Sequence, residues 1–258
     1  MSLPALSRQQ LDAALQAVGV SAGDGLLVHS ALQFLGRPEG GLQMYLDALL
    51  DAVGPGGTVA VPTFPFTFNR GLDFDPQTTP SKDMGVFSEF VRQQPAARRT
   101  PHPMQCLSVI GAAAEDLAGR DTPAAYDDGS PFDRMLDLGF KLLLLGADIQ
   151  AASIIHYSEQ RANVPYRYWK DFTGRVMAGG EWQTRTYRMF VRDMDIDARL
   201  HLDSLQADLE AGGQWRTAAL NLGRVSCCKF SDFVAAADKI LAADPWAFVT
   251  NRPEAAKH

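Results

Sequence analysis

The sequence predicts an α/β protein with a mostly parallel central sheet and a small antiparallel β subdomain towards its C-terminal part. Three observations carry that prediction. Leu26 to Val61 reads strand, helix, strand, which favours a parallel pair joined by a crossover helix. Phe140 to Leu145 is an apolar run too short for a core helix, closed by Gly146 and followed by helical periodicity. Two alternating segments around Gly174–Met177 and Trp182–Val191 are joined by Gly179-Gly180, the pattern of a hairpin.

Taken in order, Ser7 is placed to cap a helix reaching Val18, with Leu11, Ala14, Leu15 and Val18 along one side. Leu26 to His29 is the first strand. Leu42 to Val53 follows as a helix with its leucines at helical spacing, and Gly54-Pro55-Gly56-Gly57 ends it. Thr58 to Val61 is a β-branched strand. Pro62 to Pro80 packs Phe64, Phe66, Phe68 and Phe74 among Pro, Thr and Asn, and is expected to be an irregular loop lining a binding site. Met84–Gln93 and Ala112–Ala118 read as short helices around a strand at Leu107–Ile110. Ser130 is placed to cap a helix from Pro131 to Leu138. Asp203–Ala211 is a helix, Gly223–Lys229 a last strand, and Phe230–Ala243 a closing helix capped by Ser231. The tail from Pro253 is expected to be mobile. The expected organisation is residues 1–162 as the main catalytic region, 163–225 as a β-rich unit and 226–258 as a closing strand, helix and tail, in one compact whole.

Length and composition bound the function. A chain of 258 residues, 46% hydrophobic and 21% charged, buries an ordinary globular core. A net charge of −6 gives no basic footprint, so neither nucleic acid nor an anionic membrane is an expected partner. No run approaches the roughly 20 apolar residues of a membrane span. The first residues lack the charge and apolar core of a signal peptide, so the expected compartment is the cytoplasm. Three cysteines, two of them adjacent, make neither a disulfide framework nor a spaced zinc site.

His156 and Glu159 are three apart and share a helix face, the arrangement of a general base with a carboxylate to stabilise its imidazolium. The plainer reading is a packed histidine bonded to its neighbour. A metal hydrolase using His156, Glu159 and His102 is a further alternative, although no H-E-x-x-H occurs. His29-Ser30 at a strand end could hold a phosphate on backbone N–H groups, or simply cap the turn. No P-loop, dinucleotide fingerprint or G-x-S-x-G elbow is present. Cys106 lacks an adjacent base and reads as a structural thiol.

Six stretches in order then resemble one family: VHSALQFLG from Val28, LLDAVGPGGTVAVPTF from Leu49, FDPQTTPSKDMG from Phe74, RRTPHPMQCLSVIG from Arg98, DDGSPFDRML from Asp127 and LLLLGADIQAASIIHYSE from Leu142. Together they are similar to the aminoglycoside 3-N-acetyltransferases. The resemblance implies an α/β/α sandwich and direct acyl transfer from acetyl-CoA, or another acyl-CoA, to an amino-sugar amine, without a metal. It implies His156 as base with Glu159 orienting it. Coenzyme contacts are implied at His29, Ser30, Ala31, Thr63, Arg99 and Thr100, and acceptor contacts at Asp75, Tyr157 and Asp128. Ala31 stands where the family has a second serine, Thr100 follows the arginine where serine is usual, and Cys106 replaces a later serine. Residues 161–225 mix arginines with aspartates instead of concentrating carboxylates, so a nucleotide-linked or surface-polysaccharide amino sugar is the alternative acceptor to an aminoglycoside. A relative that binds without turnover is the third reading, and a homodimer is left open.

Overall fold

Strand β2 (Gly25–Ser30), β4 (Thr58–Pro62) and β7 (Lys141–Leu145) form the parallel centre of the molecule, with β2 in the middle. The computed structural model describes residues 4–253. In chain order its elements begin with β1 (Ala5–Leu6), which pairs in parallel with β3 (Arg37–Pro38) as a separate two-stranded ribbon. Between them lie α1 (Arg8–Ala17) and β2; α2 (Gly41–Val53) and β4 follow β3. Then come α3 (Val86–Arg92), β5 (Arg98–Arg99), β6 (Leu107–Gly111), α4 (Ala114–Ala118), α5 (Pro131–Asp137), β7 and α6 (Ile155–Ala162). The hairpin β8 (Arg167–Ala178) and β9 (Glu181–Arg192), α7 (Asp203–Ala211), β10 (Arg216–Leu220), β11 (Gly223–Lys229) and α8 (Phe230–Ala243) complete it.

The main sheet has seven strands in the order β10-β11-β7-β2-β4-β6-β5. Strands β2, β4, β7, β5 and β10 run one way and β6 and β11 the other, because β11 is antiparallel to β7 and β10, and β6 to β4 and β5. The parallel majority is as expected, and the two reversed strands are not marked in the sequence. Helices cover both faces. Leu143 and Leu145 pack with α1, α2 and α3, while Leu142 and Leu144 pack with α4, α5, α6, α7 and α8. That double burial explains why β7 is apolar at every position after Lys141. Each of its four leucines is at most 1% exposed, worth about 1.5–3 kcal/mol apiece by area.

Local chemistry sets several boundaries. Ser7 and Gln10 make a reciprocal capping box on α1, and Ser130 accepts from Asp133 N to cap α5. Ser231 does not cap α8: the helix starts at Phe230 after Lys229, with no side-chain cap. Gly179 and Gly180 both have positive φ (61° and 84°), which suits a two-residue hairpin turn whose twist matches the strands. Gly146 is required where β7 ends, since a Cβ there would lie 2.5 Å from the Ala31 carbonyl.

Of the strands in residues 163–225 only the hairpin pair stands outside the main sheet, because β10 and β11 belong to it. The loop from Pro62 to Pro80 is largely irregular, its Pro76 and Gln77 line a cavity with Arg98 and Arg99, and three of its phenylalanines pack inward. Phe64 enters the main core, while Phe68 and Phe74 join Met104, Val176 and Tyr187 in a cluster that seats the hairpin. Phe74 bridges directly to Val176. Beyond Pro253 the expected tail lies outside the described residues. Among those residues no helix is long and apolar enough to cross a membrane.

Candidate active site

Helix α6 leaves the carboxyl end of β7 after a short turn, Ile149–Ala151, capped by Asp148. This is where open α/β sheets gather reactive groups. His156 keeps 28% of its side chain exposed, whereas Glu159, one turn on, has none. His156 Nδ1 lies 2.5 Å from Glu159 Oε2. A carboxylate can accept but not donate, so the ring hydrogen belongs on Nδ1 and the lone pair on Nε2. No hydrogen bond from the described residues reaches Nε2.

Arg167 opens β8 and crosses to this pair. Its Nε is 2.9 Å from Glu159 Oε2 and its Nη1 donates to the Phe190 carbonyl at 3.1 Å, while its Nη2 lies 3.1 Å from His156 Nδ1, where with hydrogen on Nδ1 the two donors make no hydrogen bond and the contact is one of charge alone. Burial opposes the charge of Glu159, yet His156, Arg167 and the Tyr166 hydroxyl outweigh it and hold the carboxyl below its ordinary range. Burial lowers the His156 pKa, Arg167 lowers it further, and Glu159 opposes both. The resting pair at neutral pH is therefore neutral imidazole beside ionised carboxylate.

His29 is buried on β2 and its Nε2 faces Ser153, 3.2 Å from Oγ and 3.4 Å from the backbone N. Burial first, and the nearby His156 second, push its pKa down to about 4. The Tyr126 hydroxyl donates to the Ser153 carbonyl at 3.0 Å, and its ring meets His156 edge-on with centroids 6.1 Å apart. His29 thus holds the turn before His156 through its side chain.

Two openings matter. A cavity of about 480 Å³ lies at the ends of β2 and β7, lined by Ser30, Ala31, Phe34, Gly146 and Asp148 with Arg224. A second, about 250 Å³, is lined by His156, Tyr166, Arg167 and Arg192 with Leu200 and Val249. Of the coenzyme residues expected from sequence, Ser30 and Ala31 line the first cavity. Three others are buried or bound elsewhere. Thr63 is fully buried with its hydroxyl on the Cys106 carbonyl at 3.3 Å. Thr100 accepts from Leu107 N at 2.8 Å. Arg99 donates to the Thr63 and Thr79 carbonyls, both at 2.5 Å, and to Cys106 Sγ at 3.2 Å. These side chains tie the loop after β4 to the β5–β6 turn.

The expected acceptor residues fare similarly. Asp75 caps its own turn through Gln77 N and the Thr78 hydroxyl, both at 2.8 Å. Tyr157 is buried and donates to Asp133 on α5 at 2.9 Å, on a different side of α6 from His156. Asp128 is exposed in the turn before α5 and lines neither cavity. Nor does a metal triad assemble from His102: its Nδ1 accepts from Gln105 N at 3.2 Å, and among the described residues no three His, Cys, Asp or Glu side chains converge. Arg167, Tyr166 and Tyr126 surround the pair without any signal in the spacing of the sequence; a tyrosine–arginine dipeptide soon after the helix is the nearest hint.

A mostly parallel sheet with the His156–Glu159 pair at the carboxyl end of one of its central strands, beside an open cavity, is the architecture of an α/β enzyme. The aminoglycoside 3-N-acetyltransferase family model matches residues 27–242, and the chain belongs to that family of acyltransferases. It is 33% identical over 240 residues to aminoglycoside N(3)-acetyltransferase III of Salmonella, covering 84% of this chain and 82% of the relative. Its fold superposes on AAC-IIIb in binary complex with CoASH with a TM-score of 0.81 and 27% identity, over 97% of this chain and all of that one (100%). A histidine-to-alanine variant of AAC(3)-IVa in complex with a gentamicin matches with a TM-score of 0.79 and 27% identity, over 99% and 95% of the two chains.

Proposed function

We propose that this enzyme transfers the acetyl group of acetyl-CoA to an amine of an amino sugar, such as the 3-amino group of an aminoglycoside, with His156 as general base. The observation that carries the reading is the His156–Glu159 pair, Nδ1 and Oε2 being 2.5 Å apart, with His156 lining an open cavity. The amine attacks the thioester carbonyl and its proton passes to His156 Nε2. The C–S bond then breaks, and the departing thiolate takes that proton to leave as the free thiol of coenzyme A. Glu159 stabilises the transient imidazolium.

The cavity at the ends of β2 and β7 suits the coenzyme. It offers the Ser30 hydroxyl and the Arg224 charge to phosphates, and Ala151, in the turn that precedes α6, is among its lining residues. The structural neighbour in binary complex with CoASH supports this use. Acetyl-CoA as donor favours a cytoplasmic site of action. A second acceptor reading, a nucleotide-linked amino sugar, is favoured by Arg167 and Arg192 lining the cavity beside His156, where no described Asp or Glu lines it.

Thiol release from acetyl-CoA, measured against aminoglycosides, simple amino sugars and nucleotide-linked amino sugars, decides between them. Release with an aminoglycoside is expected. Release confined to nucleotide amino sugars would keep the chemistry and change the acceptor. Binding of coenzyme A without release to any amine would mean a relative without turnover. A second expectation concerns Glu159→Gln. It should lower kcat by about 100-fold or more, and it should move the acidic limb of the kcat/KM profile to lower pH, because Glu159 raises the His156 pKa. A limb that stays in place would show that Glu159 does not face the base during turnover.

A further inference from the structure

Among the described residues, Arg167 is the one side chain that touches both members of the catalytic pair and both strands of the hairpin. It begins β8, its guanidinium spans Glu159 Oε2 and His156 Nδ1, and Nη1 holds the Phe190 carbonyl on β9. Its side chain is 13% exposed, so solvent screens this charge weakly. A carboxylate with no exposed surface would ordinarily take up a proton. If the pair gained one, it would be either an imidazolium facing a carboxylate, or a carboxylic acid donating to Nδ1 with the ring hydrogen moved to Nε2. Both forms carry hydrogen on Nε2, and neither can accept the proton of an amine.

We infer that Arg167 is a positioning residue whose fixed positive charge keeps that extra proton off the His156–Glu159 pair, so that Nε2 is free to act near neutral pH. The inference rests on the reading of His156 as base. Other groups facing the pair do not supply the effect. His29 is neutral by burial well above its pKa of about 4, and burial raises Tyr126 and Tyr166 so that they too stay uncharged. Arg188 lies over the Trp169 ring with Asp171 at 3.8 Å, and Arg192 has Asp197 at 3.9 Å; both are close to half exposed and screened. The arginine also ties the hairpin to His156, so the path of the hairpin and the proton state of the pair share one side chain.

The test is the pH profile of kcat/KM for wild type, Arg167→Met, Arg167→Lys and Arg192→Met, with His156→Ala alongside. Removing a cation this close should move the acidic limb up by about 1–2 pH units, with the rate recovering at high pH. Arg167→Lys keeps a charge and should keep the limb within about half a unit, whatever its kcat. Arg192→Met should leave the limb in place. An Arg167→Met enzyme slowed by the same factor at every pH would overturn the inference and leave a structural tie alone. Should that variant not fold, imidazole ¹⁵N shifts of the wild type and of Arg167→Gln carry the test, with the His156 signal assigned by its loss in His156→Ala. A His156 midpoint below about 6.5 in wild type that rises by about a unit in Arg167→Gln supports the inference, and a midpoint that is the same in both overturns it. Full activity in His156→Ala would instead overturn the base reading itself, so the two failures are distinguishable.

Discussion

Replacing His156 by alanine is expected to lower kcat for acetyl transfer by about 10³-fold, while the KM for acetyl-CoA changes by about twofold or less. An amino-sugar amine is largely protonated at neutral pH, and the fraction that attacks must still shed a proton as the C–N bond forms. In the proposed reaction Nε2 accepts it, and the cavity assigned to the coenzyme does not include His156. The fold should survive, because Glu159 retains Arg167 as its partner after the ring is gone. Residual activity should climb with pH as the amine deprotonates unaided, and added imidazole should restore part of the rate. A loss smaller than about tenfold, at saturating acceptor and neutral pH, would remove His156 from the chemistry.

Much of the site was legible because two local rules coincide. The run of leucines in β7 is apolar on both faces, so it had to be a central strand, and Gly146 had to end it where the Ala31 carbonyl comes close. The i, i+3 spacing put Glu159 under His156. The same geometry argues against Tyr157, since one residue along a helix is a rotation of about 100°, and Tyr157 accordingly meets Asp133. The polar residues of the other motifs were harder to read. Thr63, Arg99 and Thr100 have the chemistry of phosphate ligands, but backbone groups at the end of β4 and in the β5–β6 turn need partners too, and those groups take them. Strand direction was illegible for β6 and β11, because alternation and burial look the same in either sense. Arg167 was invisible for a different reason: it reaches His156 through the path of the hairpin, which no spacing in the sequence encodes.

Acid should unfold this enzyme earlier than its carboxylates would require. Burial pushes His29 and His102 each down to about 4, from about 6.5 in an unfolded chain. The folded state therefore binds fewer protons than the unfolded one between those values, and stability falls as pH drops through that window. At pH 5 each histidine should have cost about 2 kcal/mol relative to pH 7.5, or about 4 kcal/mol for the pair. His156, lowered for the same first reason, shifts the balance in the same direction. Glu89 behaves differently. Arg92 holds its carboxyl down to about 2, so its contribution fades below the ordinary carboxylate range, at lower pH than the histidine window. Urea unfolding at pH 7.5 and 5.0 therefore isolates the histidines. His102→Asn keeps an acceptor for the Gln105 N–H without a titrating ring, and should recover about half of the difference. A difference below about 1 kcal/mol between the two pH values would mean that these histidines are protonated in the folded protein, and that water reaches the turn holding Ser153 behind His156.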